Sequence, residues 1–413
     1  MTTCRLCGAR ALMSVLDLGA SPPCESFLTK EQLDLPEVTY PLHLRLCREC
    51  LLLQIPALIT PQETFGGDYA YLSSFSTSWV EHARRFVDQA IVRLGLSPDD
   101  LVVEVAANDG YLLQHVVAAG IRCLGIEPSV NCSEAARAKG VPMLRAFLDE
   151  EVAARVRAEN GPARLVVANN VWAHIPDIIG FTRGLAGLVD RDGWVSIEVH
   201  HALSLITLAQ FDTIYHEHFQ YWSVLAAGRG LAAGGLRLVD VELLPTHGGS
   251  IRLWAVREDS PHQELPSVAE VVAMERDAGL DRPEGYLGLA ERVARIRDDL
   301  VAHLVEARRQ GRRVVAYGMP GKGNTLLNYC GIRPDLLAYG ADMNTFKHGR
   351  YAPGSRIPVV PPEHLVEDAP DDVVVLPWNL RQEITAQLSA TLRPGTRLVF
   401  PVPHLEVEEV APR

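Results

Sequence analysis

The chain has 413 residues, 47% of them hydrophobic and 22% charged, with a formal net charge of −12. That length exceeds one ordinary core and predicts two or three globular domains. The acidic balance excludes a broad nucleic-acid surface, no apolar run is long enough to span a membrane, and no export signal opens the chain, so a cytoplasmic protein without nucleic-acid or membrane partners is expected.

The first segment, residues 1–60, carries two Cys-x-x-Cys pairs, Cys4/Cys7 and Cys47/Cys50. A two-residue gap lets one turn present both sulfurs to a single ion, and Gly8 suits the knuckle turn. Four thiolates fill a zinc tetrahedron, so the site is read as closed and structural rather than catalytic. Cys24, Cys123, Cys132 and Cys330 are expected to be buried apolar residues.

Residues 61–258 alternate helical and strand patterns. Val80, Ala83, Val87, Ala90 and Leu94 recur at helical spacing. Apolar runs follow at Leu101–Val105, Cys123–Ile126, Leu165–Ala168 and Trp194–Ile197, which indicates a parallel sheet covered on both faces. The first strand runs into Glu104-Val105-Ala106-Ala107-Asn108-Asp109-Gly110. Small residues and Gly110 admit a ligand at the carboxyl end of the sheet, but the three-glycine cradle for a pyrophosphate is missing. S-adenosylmethionine fits such a loop. Glu104 would attract its ammonium group or order the loop, and Glu127, at the end of the next strand, would take the ribose hydroxyls. Each acid alone is equally compatible with a surface carboxylate at a strand end. The third strand ends at Asn169 and leads to His174, facing the expected ligand edge.

Within Tyr215-His216-Glu217-His218-Phe219-Gln220-Tyr221 two histidines, a glutamate and two tyrosines crowd together. Carbon methylation beside a ketone requires a base to remove a weakly acidic proton and donors for the enolate oxygen. His218 is the candidate base, Glu217 and Tyr215 stand beside it, and His174 is a second donor or alternative base. His216 and His218 would share a face on a strand, where they could instead hold a metal.

Residues 259–413 open with a helical stripe, Leu289, Val293, Ile296, Leu300 and Leu304. Strands are expected at 313–318, 336–340 and 373–376, giving a second doubly wound unit. Lys322, in Gly321-Lys322-Gly323-Asn324 at a strand-to-helix junction, suits a phosphate. Lys347, Arg350 and Arg356 in the next loop are further diphosphate partners, or solvated surface charges.

These motifs together resemble the bacterial nucleotide-sugar C-methyltransferases of antibiotic deoxysugar pathways, especially those acting at C-3 of dTDP-4-keto sugars. The resemblance extends through Tyr69-Ala70-Tyr71-Leu72-Ser73-Ser74, His247-Gly248-Gly249-Ser250 and Tyr317-Gly318-Met319-Pro320-Gly321-Lys322-Gly323-Asn324. It implies an α/β protein with a small zinc-binding N-terminal domain, a central Rossmann-like methyltransferase domain and a C-terminal doubly wound α/β domain holding the nucleotide sugar. It implies proton abstraction by His218, with Tyr69, His174, Tyr215 and Glu217 around the sugar. It implies a cofactor set of Glu104, Ala106, Asn108, Asp109, Gly110, Glu127, Asn169 and Ser74, and substrate contacts from Tyr215, His247, Lys322, Asn324, Lys347 and Arg350. A dTDP-linked keto-deoxysugar is the expected substrate, and a monomer or weak homo-oligomer the expected state. Met319-Pro320-Gly321, Asp342-Met343-Asn344-Thr345 and Trp222 depart from the usual pattern. A C-5 enzyme, an O- or N-methyltransferase, and a non-catalytic zinc-containing binding protein are the alternatives.

Overall fold

A computed structural model describes residues 3–69 and 72–412. The chain divides into two compact units, each assembled from three stretches. One comprises Met1–Leu12, Cys47–Ala202 and Phe219–Gly285, the other Met13–Leu46, Leu203–His218 and Tyr286–Arg413. The strands in chain order begin with β1 (Leu12–Ser21), β2 (Tyr40–Cys47) and β3 (Leu53–Gln54). Next come β4 (Leu101–Val105), β5 (Arg122–Ile126), β6 (Met143–Leu144), β7 (Ala163–Asn169), β8 (Val189–His200), β9 (Gln220–Tyr221), β10 (Leu236–Leu244) and β11 (Ser250–Arg257). The last are β12 (Val314–Tyr317), β13 (Gly340–Ala341), β14 (Val359–Val360), β15 (Asp372–Val375), β16 (Arg397–Phe400) and β17 (Glu406–Glu409).

The first unit is built on a seven-stranded sheet in the order β10-β11-β8-β7-β4-β5-β6. β4 pairs in parallel with both β5 and β7, β7 with β8, and β5 with β6, while β11 runs antiparallel to β8 and to β10. From β4 the chain steps outward to β5 and β6, then returns to β7 on the other side of β4. That reversal opens a crevice beyond the carboxyl ends of β4 and β7, where ligands bind in open α/β sheets. Every residue of β4 is buried, because alternate residues enter different cores. Val103 and Val105 pack with Val166, Ala168 and Ile197, while Val102 packs with Leu165, Val167 and the helix Thr77–Leu94. That helix starts three residues before the apolar stripe, because the Ser76 side chain accepts the Trp79 backbone N–H at 3.2 Å and caps it. Trp222, the departure noted above, lies flat on Trp172 with ring centroids 3.8 Å apart, and both are fully buried.

The second unit holds a six-stranded sheet, β14-β13-β12-β15-β16-β17, parallel except for the antiparallel edge strand β17. The five stripe residues from Leu289 to Leu304 are all buried on the helix Leu289–Arg309, each worth roughly 1.5–3 kcal/mol relative to exposure. The strand expected at 336–340 is reduced to β13. Leu336 and Leu337 both donate backbone N–H groups to the Arg333 carbonyl, closing a turn after Pro334 where the apolar run suggested pairing. Among the described residues no helix is long and apolar enough to cross a membrane.

Candidate active site

The four sulfurs of Cys4, Cys7, Cys47 and Cys50 lie within 4.8 Å of one another, all in the first unit. Two backbone knuckles produce this: Gly8 N–H donates to the Cys4 carbonyl and Leu51 N–H to the Cys47 carbonyl, with Gly8 and Leu51 both at positive φ. The sulfurs of Cys4 and Cys50 approach to 3.5 Å, as do those of Cys7 and Cys47. A zinc ion with bonds of about 2.3 Å sets sulfurs about 3.8 Å apart, so the set fits the metal. The Cys4–Cys50 contact lowers the Cys4 thiol and raises the Cys50 thiol, so the two sulfurs share one proton, which a bound metal would displace. Among the described residues no other group of His, Cys, Asp and Glu side chains is clustered for a metal, and His216 and His218 are not one. The remaining four cysteines are buried and unpaired with one another, as expected from composition.

At the crevice of the central sheet, Ala106, Asn108 and Gly110 all adopt positive φ and wrap the chain round the end of β4. A side chain at Gly110 would come within 3.1 Å of Ala136 and Val141, so a tight turn and a close approach both require glycine there. Glu127 at the end of β5 is buried and accepts the backbone N–H groups of Asn108 at 3.0 Å and Ser129 at 2.9 Å. Burial raises its carboxyl above the usual range. Glu104 is deeper still, and burial pushes it well up, with the Tyr111 hydroxyl opposing and the charges of Asp109 and Glu127 adding to the rise. Three carboxylates converging in a buried crevice suit a ligand with an ammonium and a sulfonium charge. Asp109 Oδ1 and Asn169 Oδ1 are buried at the same edge with no hydrogen-bond partner, so the residues fit S-adenosylmethionine.

The preceding loop closes over this edge. Ser73 N–H donates to Asn108 Oδ1 at 2.9 Å, and Asn131 exchanges two hydrogen bonds with the backbone of Tyr69. Phe65 meets the Tyr69 ring at 4.9 Å and the His174 ring at 5.5 Å, both edge-on. Thus Tyr69 and His174, distant in sequence, share one aromatic cluster. Ala70 and Tyr71 of the same motif lie outside the described residues. Lys139, which the sequence reading missed, donates to Ser74 Oγ at 2.6 Å and to Asp109 Oδ2 at 2.9 Å. It fastens Ser74 to the turn after β4, and no local pattern marked it because its partners come from separate segments.

A second missed group is Glu198 on β8. It is fully buried and meets His82 at 2.8 Å, Arg252 at 2.9 Å and the Thr246 hydroxyl at 3.0 Å. Burial raises its carboxyl, but His82 and Arg252 outweigh that and leave it below the usual range. Thr246 opens the turn bearing His247, whose ring lies 5.0 Å from Trp79 and 3.4 Å from Asn170 Nδ2. Removing one partner of a buried ion pair costs about 3–5 kcal/mol, so Glu198→Ala should lower unfolding free energy by that order in urea titration. Its contribution is present above its unfolded-state pKa of about 4.3 and is lost as pH falls through the lower folded-state value.

The Tyr215–His218 segment belongs to the second unit. His218 Nδ1 lies 3.0 Å from the Thr213 carbonyl, which can only accept, so Nδ1 carries the proton. Nε2 is then the basic nitrogen, and the Tyr215 hydroxyl donates to it at 2.7 Å. The tautomer is thus set by a backbone carbonyl. Tyr215 and His218 are half-buried, whereas Ile214, His216, Glu217, Phe219 and Gln220 are buried. His216 Nε2 donates to the Tyr40 carbonyl at 3.1 Å, away from His218's partners.

In the same unit Lys322 opens the helix Gly321–Tyr329. Its ammonium bonds Asn379 Oδ1 and lies 4.5 Å from the Trp378 ring, and burial lowers it to about 8 against the charge of Asp212. Asn324 is buried and donates to the Cys24 carbonyl at 2.7 Å. Lys347 donates to the Met319 carbonyl at 2.9 Å, between Glu25 and Asp342. Arg350 is exposed, and Arg356 donates to the Leu33 carbonyl at 2.7 Å. Of this expected set, Asn324, Lys347 and Arg356 are therefore engaged in internal bonds.

Residues 4–65 match the model of a zinc binding domain, residues 79–241 a methyltransferase domain, and residues 245–403 a C-methyltransferase C-terminal domain. The C-methyltransferase NovU of Streptomyces niveus is 35% identical over 404 residues, which is 98% of this chain and 96% of that protein. Magnesium protoporphyrin IX methyltransferase from Synechocystis PCC 6803 with bound SAM aligns at 18% identity over 44% of this chain and 81% of that one, with a TM-score of 0.33. A SAM-dependent methyltransferase from Clostridium acetobutylicum ATCC 824 aligns at 12% identity over 43% and 92%, with a TM-score of 0.35. Superpositions this loose carry no argument. The near-complete match to NovU and the three domain models in order place the chain in the C-methyltransferase family, with S-adenosylmethionine as methyl donor and a four-cysteine zinc domain.

Proposed function

We propose that the chain methylates a carbon beside the ketone of a dTDP-4-keto-deoxysugar, at C-3, in antibiotic deoxysugar assembly. The observation that carries this reading is the fixed tautomer of His218. Its Nδ1–H is held by Thr213, its Nε2 is the basic nitrogen, and the Tyr215 hydroxyl lies 2.7 Å from that nitrogen. When the sugar binds, the Tyr215 hydroxyl turns from Nε2 to the ketone oxygen; the freed Nε2 lone pair takes the proton from the acidic carbon, leaving an enolate and an imidazolium whose Nδ1–H stays on the carbonyl. Tyr215 then donates to the enolate oxygen. S-adenosylmethionine, when bound, supplies an electrophilic methyl group. Glu127, Asn108, Asp109, Gly110, Ala106, Asn169, Glu104 and Ser74 hold the donor, and Tyr69 and His174 act on the cofactor side. Glu217 and His247 shape the polar surroundings, and Lys322 and Arg350 remain for the diphosphate. The zinc-bearing residues 1–60 are structural, residues 61–258 carry the donor, and residues 259–413 carry the nucleotide sugar.

A panel of dTDP-4-keto sugars incubated in deuterated water tests this by mass spectrometry. Uptake of solvent deuterium without methyl donor, and gain of one methylene with it, are expected for one member at least. Methyl gain on oxygen or nitrogen, with no deuterium uptake, overturns the carbon-acid reading. For Glu127→Ala, loss of hydrogen bonds to a charged acceptor predicts a cost of about 1.5–3 kcal/mol. That is about 10- to 100-fold in the Kd of S-adenosylmethionine, measured calorimetrically.

A further inference from the structure

Six residues before the base, Asp212 is a fully buried carboxylate in the short turn Phe211–Thr213. The indole N–H of Trp378 donates to its Oδ2 at 2.6 Å. Burial raises its carboxyl, and the positive charge of Lys322 and the Trp378 indole oppose that rise. On the other side of Thr213, the Thr325 hydroxyl donates to the Ile214 carbonyl at 3.2 Å. The Thr213 hydroxyl itself donates to the Gln210 carbonyl at 2.7 Å. A single 3₁₀ turn does not by itself fix the direction of a carbonyl. Here the turn is fastened before and after Thr213 by groups from Gly321–Tyr329 and Trp378–Leu380, all in the second unit.

We propose that Asp212, held by the Trp378 indole, is a positioning residue: it aims the Thr213 carbonyl at His218 Nδ1–H, so that Nε2 stays the unprotonated nitrogen. This deepens the reading of His218 as the base and rests on it. It also gives the C-terminal part of the chain a role in the chemistry besides substrate holding. Lys322, expected from sequence to meet a phosphate, also offsets through its charge part of the cost of burying Asp212.

The test uses the full-length protein labelled with ¹⁵N-histidine near neutral pH, with the His218 signals identified by their loss in His218→Asn. The wild type should show an unprotonated Nε2 and a protonated Nδ1. Asp212→Asn and Trp378→Phe should both move the ring toward a mixture of tautomers. Their kcat should fall about 100-fold, as expected when a base's orienting partner is lost, while KM stays within about threefold. Thr325→Val should give a smaller change of the same kind. If Asp212→Asn does not fold, Trp378→Phe carries the test, since it removes the indole donor and keeps an aromatic ring. An unaltered His218 tautomer in a folded Trp378→Phe protein overturns the proposal, whatever its activity. Failure of the base itself shows differently, as undiminished turnover in His218→Asn.

Discussion

Replacing His218 by asparagine is expected to lower kcat by about 10²–10⁴-fold, the range that a positioned general base supplies, and to abolish uptake of solvent deuterium by the sugar. The amide can still accept from Tyr215, so the pocket keeps its shape while the basic nitrogen is gone. Affinity for S-adenosylmethionine should be unchanged, because the proposed donor site lies at the ends of β4, β5 and β7. His216→Asn provides the contrast. His216 is buried and its Nε2 donates to Tyr40, so its loss should reduce stability and leave the proton-transfer step in place. Steady-state kinetics and a deuterium-exchange time course separate the two. Equal exchange rates in wild type and His218→Asn would remove His218 from the mechanism.

The second large effect concerns the zinc. Structural zinc binding carries an apparent free energy of about 10–16 kcal/mol in small zinc domains at neutral pH. Cys47→Ser, or prolonged chelation, should therefore empty the site and lower the melting temperature. The consequence for catalysis runs through Arg5, which sits between Cys4 and Cys7. Its guanidinium donates to the carbonyls of Ile55 at 2.8 Å and Phe219 at 2.6 Å. Phe219 directly follows His218, and its own N–H bonds Ala173, the residue before His174. Loss of zinc should loosen this tie and reduce kcat, while affinity for S-adenosylmethionine falls much less. Metal content by mass spectrometry, thermal melting and donor titration check the three parts. A Cys47→Ser protein that keeps a full complement of zinc would remove Cys47 from the ligand set, and a zinc-free chain with an unaltered melt and turnover would refute the structural role.

Much of the fold was legible because its signals are local. Two Cys-x-x-Cys pairs specify one tetrahedral site by spacing alone, and the structure gathers all four sulfurs. Leu101–Val105 is a continuous apolar run bounded by turn residues, and it becomes β4 with the same limits. The stripe from Leu289 to Leu304 is buried as its periodicity requires. Glu104 and Glu127 fall at neighbouring strand ends because parallel pairing of β4 and β5 puts Glu104 opposite Gly125. By contrast, the run at 336–340 carries a strand's composition, yet Pro334 and the bonds to Arg333 fold it into a turn.

The sequence by itself determined the residue types the chemistry needs: the four thiolates, the acids of the donor crevice, and a histidine beside a tyrosine. Only the tertiary structure decided what each could do, since hydrogen bonds and burial depend on partners far away in the chain. It gave His218 its tautomer through Thr213, tied Asp212 to Trp378 across 166 residues, and drew Asn324 and Lys347 into internal bonds. Lys347, which its loop offers to a diphosphate, is instead held by the Met319 carbonyl between the carboxylates of Glu25 and Asp342.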